Sequence, residues 1–199
     1  MTMCAIAGVI KLTQPFEPGP WVDGMLATMQ RRGPDQQGVL PLERGILLHA
    51  RLAVIDPEGG RQPMTWREGE ASFSIVYNGE LYNSGELRGE LEKLGWQFRT
   101  HCDTEVMLYA FIQWGEDCLR RSNGIFAFAV WDHRQQKLFL ARDRMGVKPL
   151  FFTLRQDTLI FGSEIKTLLA HPLVPARLNQ DGVAEIMLVG PGRTPGCGV

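Results

Sequence analysis

The sequence predicts an α+β protein in which antiparallel sheets are stacked and helices cover their outer faces. Segments 4–12 and 125–131 carry apolar residues at nearly every position, which is typical of strands covered on both sides. A polar stretch at 132–136 separates two such segments, as in an antiparallel hairpin. Helical patterns accompany the strands in pairs, so layers of sheet and helix are expected.

The N-terminal part predicts three strands and one helix. A strand over 4–12 is followed by a Pro- and Gly-rich stretch at 14–20, which ends it. A helix is expected next, because apolar residues recur with helical spacing until the Gly-Pro pair at 33–34. Those apolar residues are Val22, Met25, Leu26 and Met29. Segments 45–56 and 72–77 are β-rich and predict two more strands.

Two helices are predicted in the middle of the chain. The first begins at Asn83, with Glu86 three positions later as in a capping box, and ends at Gly95. Its apolar stripe is Leu87, Leu91 and Leu94. The second begins at Asp103 and ends at Gly115. Its apolar face is Met107, Ala110, Phe111 and Trp114.

The C-terminal part predicts a hairpin, a short helix and a linker. Segments 125–131 and 137–142 are expected to pair as antiparallel strands. A short helix follows over 163–171 and stops before Pro172. Residues 4–190 are therefore expected to form one domain. The Gly/Pro-rich residues 191–199 are expected to begin a linker towards a further domain.

Composition and charge favour a globular domain that binds a small molecule or another domain. Twenty-one Lys and Arg against 22 Asp and Glu give a net charge of −1, which offers no electrostatic support for a nucleic-acid or acidic-lipid partner. No apolar run approaches the roughly 18 residues of a membrane span, and no secretory leader is recognisable, so a cytoplasmic location is expected. Four cysteines without a C-x-x-C pair are too sparse for a disulfide scaffold.

Three polar positions near predicted strand ends or helix starts are candidates for ligand binding. Arg51 lies inside an apolar strand, so its guanidinium needs a carboxylate, either from the protein or from a ligand. Asn78 and Gly79 offer a side-chain and an unshielded backbone N–H that could hold an oxyanion, although Asn-Gly is also a common hairpin turn. Asp103 could cap its helix or hold an ammonium group.

Several other kinds of site lack the necessary residues. The sequence has no dinucleotide-binding glycine fingerprint, no P-loop and no G-x-S-x-G turn. His101, Cys102 and Asp103 are adjacent, so their side chains would point in different directions, and no second cluster completes a set of metal ligands. No metal is therefore expected.

Cys4 is the candidate nucleophile, and none of the four histidines is placed beside it by a motif. An α-amino group, with a pKa of about 7.7 to 8.0, could take the thiol proton instead. This requires Cys4 to be the first residue of the mature chain. The chemistry would be acyl transfer, in which the thiolate attacks an amide, ammonia leaves and water hydrolyses the thioester.

Eight stretches, in order along residues 4 to 166, resemble the class II glutamine amidotransferases, and among them the glutaminase domain of the asparagine synthetase family. The stretches are 4–9 (CAIAGV), 32–35 (RGPD), 49–56 (HARLAVID), 77–83 (YNGELYN), 102–106 (CDTEV), 123–132 (NGIFAFAVWD), 142–150 (RDRMGVKPL) and 163–166 (SEIK). The resemblance implies a four-layer αββα sandwich of two mainly antiparallel sheets, the fold of the N-terminal nucleophile (Ntn) hydrolases.

The same resemblance implies roles for individual residues. Cys4 would be the nucleophile, and Arg51 would bind the α-carboxylate of glutamine. The backbone of four residues would line the pocket: Leu52, Ala53, Val54 and Ile55. Four further residues would hold the oxyanion and the substrate ammonium. These are Asn78 and Gly79 for the oxyanion, and Glu80 and Asp103 for the ammonium.

The implied activity is hydrolysis of L-glutamine to L-glutamate and ammonia, with no cofactor in this domain. The ammonia would pass to a C-terminal synthetase domain, which would use ATP and Mg²⁺ to make asparagine from aspartate. The S-G-G-x-D-S loop of that domain is absent from this chain. A homodimer is also conceivable. Two positions depart from the family pattern, Ala5 in place of the usual Gly and Arg31 in place of the common His.

Three alternatives stay open at the level of sequence. The chain could be a glutamine-binding or regulatory module whose nucleophile is inactive because residues 1–3 block the amine of Cys4. It could be the glutaminase half of an enzyme that amidates another acceptor. Removal of Met1 alone could expose Thr2 as a nucleophile. We expect residues 1–3 to be absent from the active form.

Overall fold

The structure is a computed structural model that describes residues 3–53, 56 and 59–190. Thr2, Val54, Ile55 and the expected linker at 191–199 lie outside the described residues. Within them the chain forms nine strands, six α-helices and one short 3₁₀ helix (Gly115–Asp117). The strands are β1 (Ala5–Lys11), β2 (Gln36–Leu42), β3 (Gly45–Arg51), β4 (Met64–Glu68), β5 (Ala71–Leu81), β6 (Gly124–Asp132), β7 (Lys137–Arg142), β8 (Phe151–Arg155) and β9 (Thr158–Gly162). The helices are α1 (Trp21–Met29), α2 (Ser84–Lys93), α3 (Asp103–Trp114), α4 (Cys118–Arg121), α5 (Ile165–Leu169) and α6 (Gln180–Val189).

The strands form two sheets in which every paired neighbour is antiparallel. The first sheet has the order β2-β3-β1-β9-β8, and the second has the order β4-β5-β6-β7. In the first sheet Ala5 at the start of β1 is opposite Ala50 near the end of β3. In the second sheet Asn78 of β5 is opposite Ala127 of β6. The beginning of β1 and the end of β3 therefore lie side by side.

Three apolar cores lie between neighbouring layers. The inner core lies between the sheets and contains Ile6 and Phe161 from the first sheet with Val76 and Trp131 from the second. Helix α1 and Leu168 of α5 pack on the outer face of the first sheet. Helices α2 and α3 pack on the outer face of the second sheet. The order helix, sheet, sheet, helix confirms the predicted αββα sandwich.

Several predicted elements are confirmed, with corrections in detail. Helix α2 starts after Asn83, but the side chain of Asn83 does not cap it. That side chain instead accepts from the backbone N–H of Asn123 and donates to the carbonyl oxygen of Arg121. Leu94 was expected in the apolar stripe of α2, yet it is 56% exposed because it follows the last helical residue. Strands β2, β4, β8 and β9 and helices α4 and α6 were not predicted.

No helix in the described residues has both the length and the apolar character needed to span a bilayer.

Candidate active site

A cavity of about 220 Å³ opens where residues 3 and 4 lead into β1, beside the end of β3 and the start of α3. It is lined by Met3, Cys4, Arg51, Leu52, Gly60, Gln62, Tyr77, Asn78, Gly79, Glu80, Cys102, Asp103, Thr104 and Lys148. Seven of the residues predicted for the site are thus brought together. Ala53 is described but is not among the lining residues, and Val54 and Ile55 lie outside the described residues.

Cys4 immediately precedes β1, and its thiol faces the cavity. The Sγ atom donates to the carbonyl oxygen of Leu52 across 3.6 Å. Burial raises the pKa of the Cys4 thiol, and the negative charge of Asp103 raises it further, whereas the positive charges of Arg51 and Lys148 lower it. The thiol form therefore prevails at neutral pH, and a base is needed to make the thiolate.

The backbone around Cys4 is held by the loop that follows α1. The backbone N–H of Met3 donates to the carbonyl oxygen of Arg32 at 3.1 Å, and Nε of Arg32 donates to the carbonyl oxygen of Cys4 at 3.1 Å. On the cavity side, Nζ of Lys148 donates to Sδ of Met3 at 3.1 Å. Because Met3 is joined to Cys4, the nitrogen of Cys4 is an amide in this form and cannot act as a base.

Asn78 and Gly79 lie inside strand β5, so the alternative in which they form a hairpin turn is wrong. Asn78 is 2% exposed, and its Nδ2 atom has no hydrogen-bond partner among the described residues. A Cβ atom on Gly79 would lie 2.6 Å from the carbonyl oxygen of Ile125, so only glycine lets β6 approach this closely. The strand thus places an unused N–H donor in the wall of the cavity that holds Cys4.

Asp103 is the first residue of α3, and Cys102 occupies the capping position that was considered for Asp103. Its Oδ2 atom accepts from the backbone N–H of Leu81 at 3.1 Å and from the hydroxyl of Tyr77 at 3.2 Å. Burial raises the pKa of Asp103, and these hydrogen bonds limit the rise. The carboxyl group is therefore fixed between β5 and α3 and faces the cavity.

Arg51 ends β3 and is 4% exposed. Its guanidinium donates to Oε1 of Gln36 at 3.0 Å and to the carbonyl oxygen of Asp56 at 2.7 Å. A Cβ atom on Gly60 would lie 2.2 Å from Nη2 of Arg51, so a glycine at this position leaves the space that the guanidinium occupies. These contacts hold the guanidinium of Arg51 at the side of the cavity that lies next to the end of β3.

Two carboxylates that were not assigned a role in the sequence analysis anchor that loop. Oδ2 of Asp35 accepts from the backbone N–H of Ala53 at 2.8 Å. The carboxylate of Asp56 accepts from the backbone N–H groups of Gly59 at 2.8 Å and His101 at 2.9 Å. Both aspartates end stretches quoted above for the resemblance, which was the only signal that could have singled them out.

Gln62, Thr104 and Lys148 line the cavity and were also missed. The side chain of Gln62 bonds to both backbone groups of Tyr77, with Oε1 accepting at 2.6 Å and Nε2 donating at 3.1 Å. Nε2 of Gln62 also donates to the hydroxyl of Thr104. Lys148 lies in a stretch quoted for the resemblance, but nothing in the sequence marks Gln62, because its role depends on the loop that returns it to β5.

The arrangement suits a small zwitterion with an amide. Two cationic side chains, two carboxylates, a thiol and an unused amide N–H surround one cavity, which suits a ligand with carboxylate, ammonium and carbonyl groups. In the described part of the chain, His, Cys, Asp and Glu form no group of three or more that could hold a metal ion.

Known proteins resemble this chain over most of its length. The family described as "Glutamine amidotransferase domain" matches residues 3–197. Asparagine synthetase [glutamine-hydrolyzing] 3 of Bacillus subtilis is 48% identical over 198 residues, which cover 99% of this chain and 32% of that protein. Asparagine synthetase [glutamine-hydrolyzing] 2 of the same species is 35% identical over 192 residues, covering 94% of this chain and 25% of that protein. The chain thus spans about a third or less of the length of these two relatives.

Solved structures share the fold. A glutamine phosphoribosylpyrophosphate amidotransferase from B. subtilis, complexed with ADP and GMP, superposes with a TM-score of 0.72 and 21% identity. The match covers 83% of this chain and 43% of that one. A second structure, described as the allosteric regulatory enzyme of purine biosynthesis, gives a TM-score of 0.71 at 22% identity, covering 84% of this chain and 43% of that one.

Proposed function

The chain belongs to the glutamine amidotransferase domain family, and we propose that it hydrolyses L-glutamine to L-glutamate and ammonia through a thioester on Cys4. The observation that carries the proposal is the buried Nδ2 of Asn78, which lacks a partner among the described residues and lines the same cavity as the Cys4 thiol. A buried donor left unpaired is costly, and an oxyanion formed beside the thiol would satisfy it.

Charge complementarity supports glutamine as the substrate. Arg51 would bind the α-carboxylate through its planar guanidinium, while Asp103 and Glu80 would hold the α-ammonium group. Leu52 and the loop that follows it would cover the substrate chain. These contacts would place the side-chain amide of glutamine beside Cys4.

The reaction would follow the acyl-transfer course. The free α-amine of Cys4 takes the thiol proton, and Sγ attacks the amide carbon. The negative charge that develops on the oxygen is held by Nδ2 of Asn78 and the backbone N–H of Gly79. The side-chain amide nitrogen of the substrate receives a proton from the α-ammonium of Cys4, its bond to the carbon breaks, and it leaves as ammonia. Water then attacks the thioester, and L-glutamate is released.

This course requires cleavage of the Met3–Cys4 bond. The high pKa of the thiol makes a base necessary, and the described histidines do not line the cavity. We therefore propose that residues 1–3 are removed from the active protein. A chain that keeps Met3 would bind glutamine without hydrolysing it, which is the regulatory-module alternative.

The full-length protein would use the ammonia in an asparagine-synthetase-type domain. The relatives named above are glutamine-hydrolysing asparagine synthetases, and this chain spans about a third or less of their length. Residues 4–190 would then form the glutaminase domain, and 191–199 would lead towards a domain that binds ATP and Mg²⁺. A cytoplasmic location and a homodimer belong to this proposal, and a related acceptor in place of aspartate is the alternative.

Two forms of the chain test the proposal. In one, a cleavable tag is removed so that Cys4 is the first residue, and in the other Met3 is retained. N-terminal sequencing verifies both forms. We expect glutamate release only from the first form, and a Cys4→Ser variant of that form should be nearly inactive. Equal release from the form that retains Met3, or none from the verified Cys4 form, would refute the proposal.

A further inference from the structure

We propose that Lys148 is a positioning residue for the nucleophile: its ammonium group keeps the amine of a trimmed Cys4 unprotonated and favours the thiolate. This inference rests on the proposed function. Lys148 is 8% exposed and lines the cavity. Its Nζ donates to Sδ of Met3, a neutral and weak acceptor, at 3.1 Å. Among the described residues, no carboxylate forms an ion pair with it.

A buried cation without a paired anion is costly, so its place beside the nucleophile calls for an explanation. The contact with Met3 places the ammonium next to the residue that is joined to the nitrogen of Cys4. Removal of Met3 would also remove the thioether. The Lys148 ammonium would then border the space that the new α-amine enters.

The backbone that carries Lys148 is held firmly. The N–H of Lys148 donates to Oδ2 of Asp143 at 2.9 Å, and its carbonyl oxygen accepts from Nε of Arg142 at 2.6 Å. Asp143 also accepts from the backbone N–H of Val147 at 2.9 Å and from that of Phe126 in β6 at 3.3 Å. These hydrogen bonds fix the loop between β7 and β8 to the second sheet. The side chain of Lys148 therefore extends into the cavity from a backbone that is held in place.

The other ionisable groups near Cys4 are Arg32, Arg51, Tyr77, Glu80, Cys102 and Asp103. Arg51 would be neutralised by the substrate carboxylate. The guanidinium of Arg32 keeps its charge, but it bonds to the backbone oxygen of Cys4 and is not among the residues that line the cavity. Lys148 would stay uncompensated with glutamine bound, because both charged ends of the substrate are held elsewhere. Its charge acts in the direction that lowers the pKa of the thiol.

The test compares pH profiles in chains that begin at Cys4. The variants are Lys148→Met, Lys148→Arg, which keeps the charge, and Lys93→Met as a control on the exposed end of α2. Two rates are measured from pH 5 to 11: alkylation of Cys4 by iodoacetamide, located by peptide mass spectrometry, and kcat/KM for glutamine hydrolysis. Thermal unfolding verifies folding, and Lys148→Gln replaces Lys148→Met if the latter does not fold.

We expect Lys148→Met to move the midpoint of both acid limbs upward by about 0.5 to 1 pH unit, because one nearby positive charge is lost. Lys148→Arg keeps the charge and should leave both midpoints close to those of the parent chain, and Lys93→Met should match the parent chain. An unshifted alkylation midpoint in folded Lys148→Met would overturn the inference. The alkylation arm needs no turnover, so absence of glutaminase activity in the parent chain would count against the proposed function alone.

Discussion

The two walls of the cavity are built in different ways. The β5 wall, formed by Asn78 and Gly79, belongs to an inner strand whose backbone pairs with β6. The loop wall, formed by Arg51, Leu52 and Gly60, lies at and after the end of β3, and its loop is held by side-chain carboxylates, chiefly those of Asp35 and Asp56.

We infer that the β5 wall stabilises the negative charge that develops in the reaction, whereas the loop wall recognises the substrate. The oxyanion donors would lie on a strand that is paired along its backbone, and the carboxylate-binding residue borders a loop that is held by side-chain carboxylates. Changes in the β5 wall should therefore lower kcat, whereas changes in the loop wall should raise KM.

The largest effect should come from Asn78→Ala in the β5 wall. Loss of one oxyanion donor is expected to lower kcat about 100- to 1000-fold, with KM changed little. Steady-state kinetics on the chain that begins at Cys4 measures both values, and Asn123→Ala, on an exposed loop, is the matched control. A variant with unchanged kcat and only a raised KM would place Asn78 in substrate binding instead.

A smaller effect is expected from Arg51→Lys in the loop wall. Lysine keeps the charge but loses the planar pair of donors, so we expect KM to rise about 10-fold or more while kcat changes little. Arg67→Lys on the exposed face of β4 is the control. A fall in kcat with KM unchanged would contradict the division of roles between the two walls.

Asp35→Ala should weaken the loop wall without touching the substrate. The variant removes the acceptor for the backbone N–H of Ala53, so we expect faster amide exchange across residues 52–60 and a KM raised several-fold. Hydrogen exchange and kinetics report these two effects, and Glu17→Ala is an exposed control. If exchange in the loop is unchanged, Asp35 is not its anchor.

A separate effect, on stability rather than on activity, concerns His49, which joins the sheets through a contact of 3.2 Å between its Nε2 and the carbonyl oxygen of Tyr77. Burial lowers its pKa to about 3. Because an unfolded histidine titrates near 6.5, the unfolded state binds more protons between about pH 6.5 and pH 3. The free energy of unfolding should therefore fall by up to about 1.4 kcal/mol per pH unit as the pH drops through this window.

Urea unfolding at pH 7 and pH 5 checks the contribution of His49. We expect His49→Gln to lose less stability between these pH values than the parent chain does. The exposed His101→Gln variant should behave like the parent. Equal pH dependence in all three proteins would show that folding does not lower the pKa of His49.

Local patterns sufficed for the parts of the fold that have strong periodicity. Helices α1 and α3 and the hairpin of β6 and β7 were predicted because their apolar spacing and the glycines at their ends are local signals. Strand β2 was missed because Gly38 and Pro41 interrupt its alternation of half-buried and exposed residues. Strand β4 was missed because it is only half-buried. Their pairing with β3 and β5 decides their structure, and that pairing is not local.

The features of the site also fall into two groups, those with a local signal in the sequence and those that depend on contacts between distant segments. Cys4, Arg51, Asn78 and Asp103 could be singled out because each is polar in an unusual local setting, and the structure brings all four to one cavity. The location of Asn78 in a strand could not be read from Asn-Gly alone, because the pairing with β6 overrides the preference of that pair for a turn. Lys148 reaches the cavity through contacts between distant segments, which no local pattern reports.

The most direct test of the account is covalent labelling with an electrophilic diazoketone analogue of glutamine, followed by peptide mass spectrometry. In a chain verified to begin at Cys4, we predict a single adduct on Cys4, with free glutamine competing against it. The form that retains Met3 should be labelled far more slowly. Labelling of Cys102 or Cys118 with Cys4 unmodified, or equal labelling of both forms, would contradict the claim that Cys4 acts as an N-terminal nucleophile.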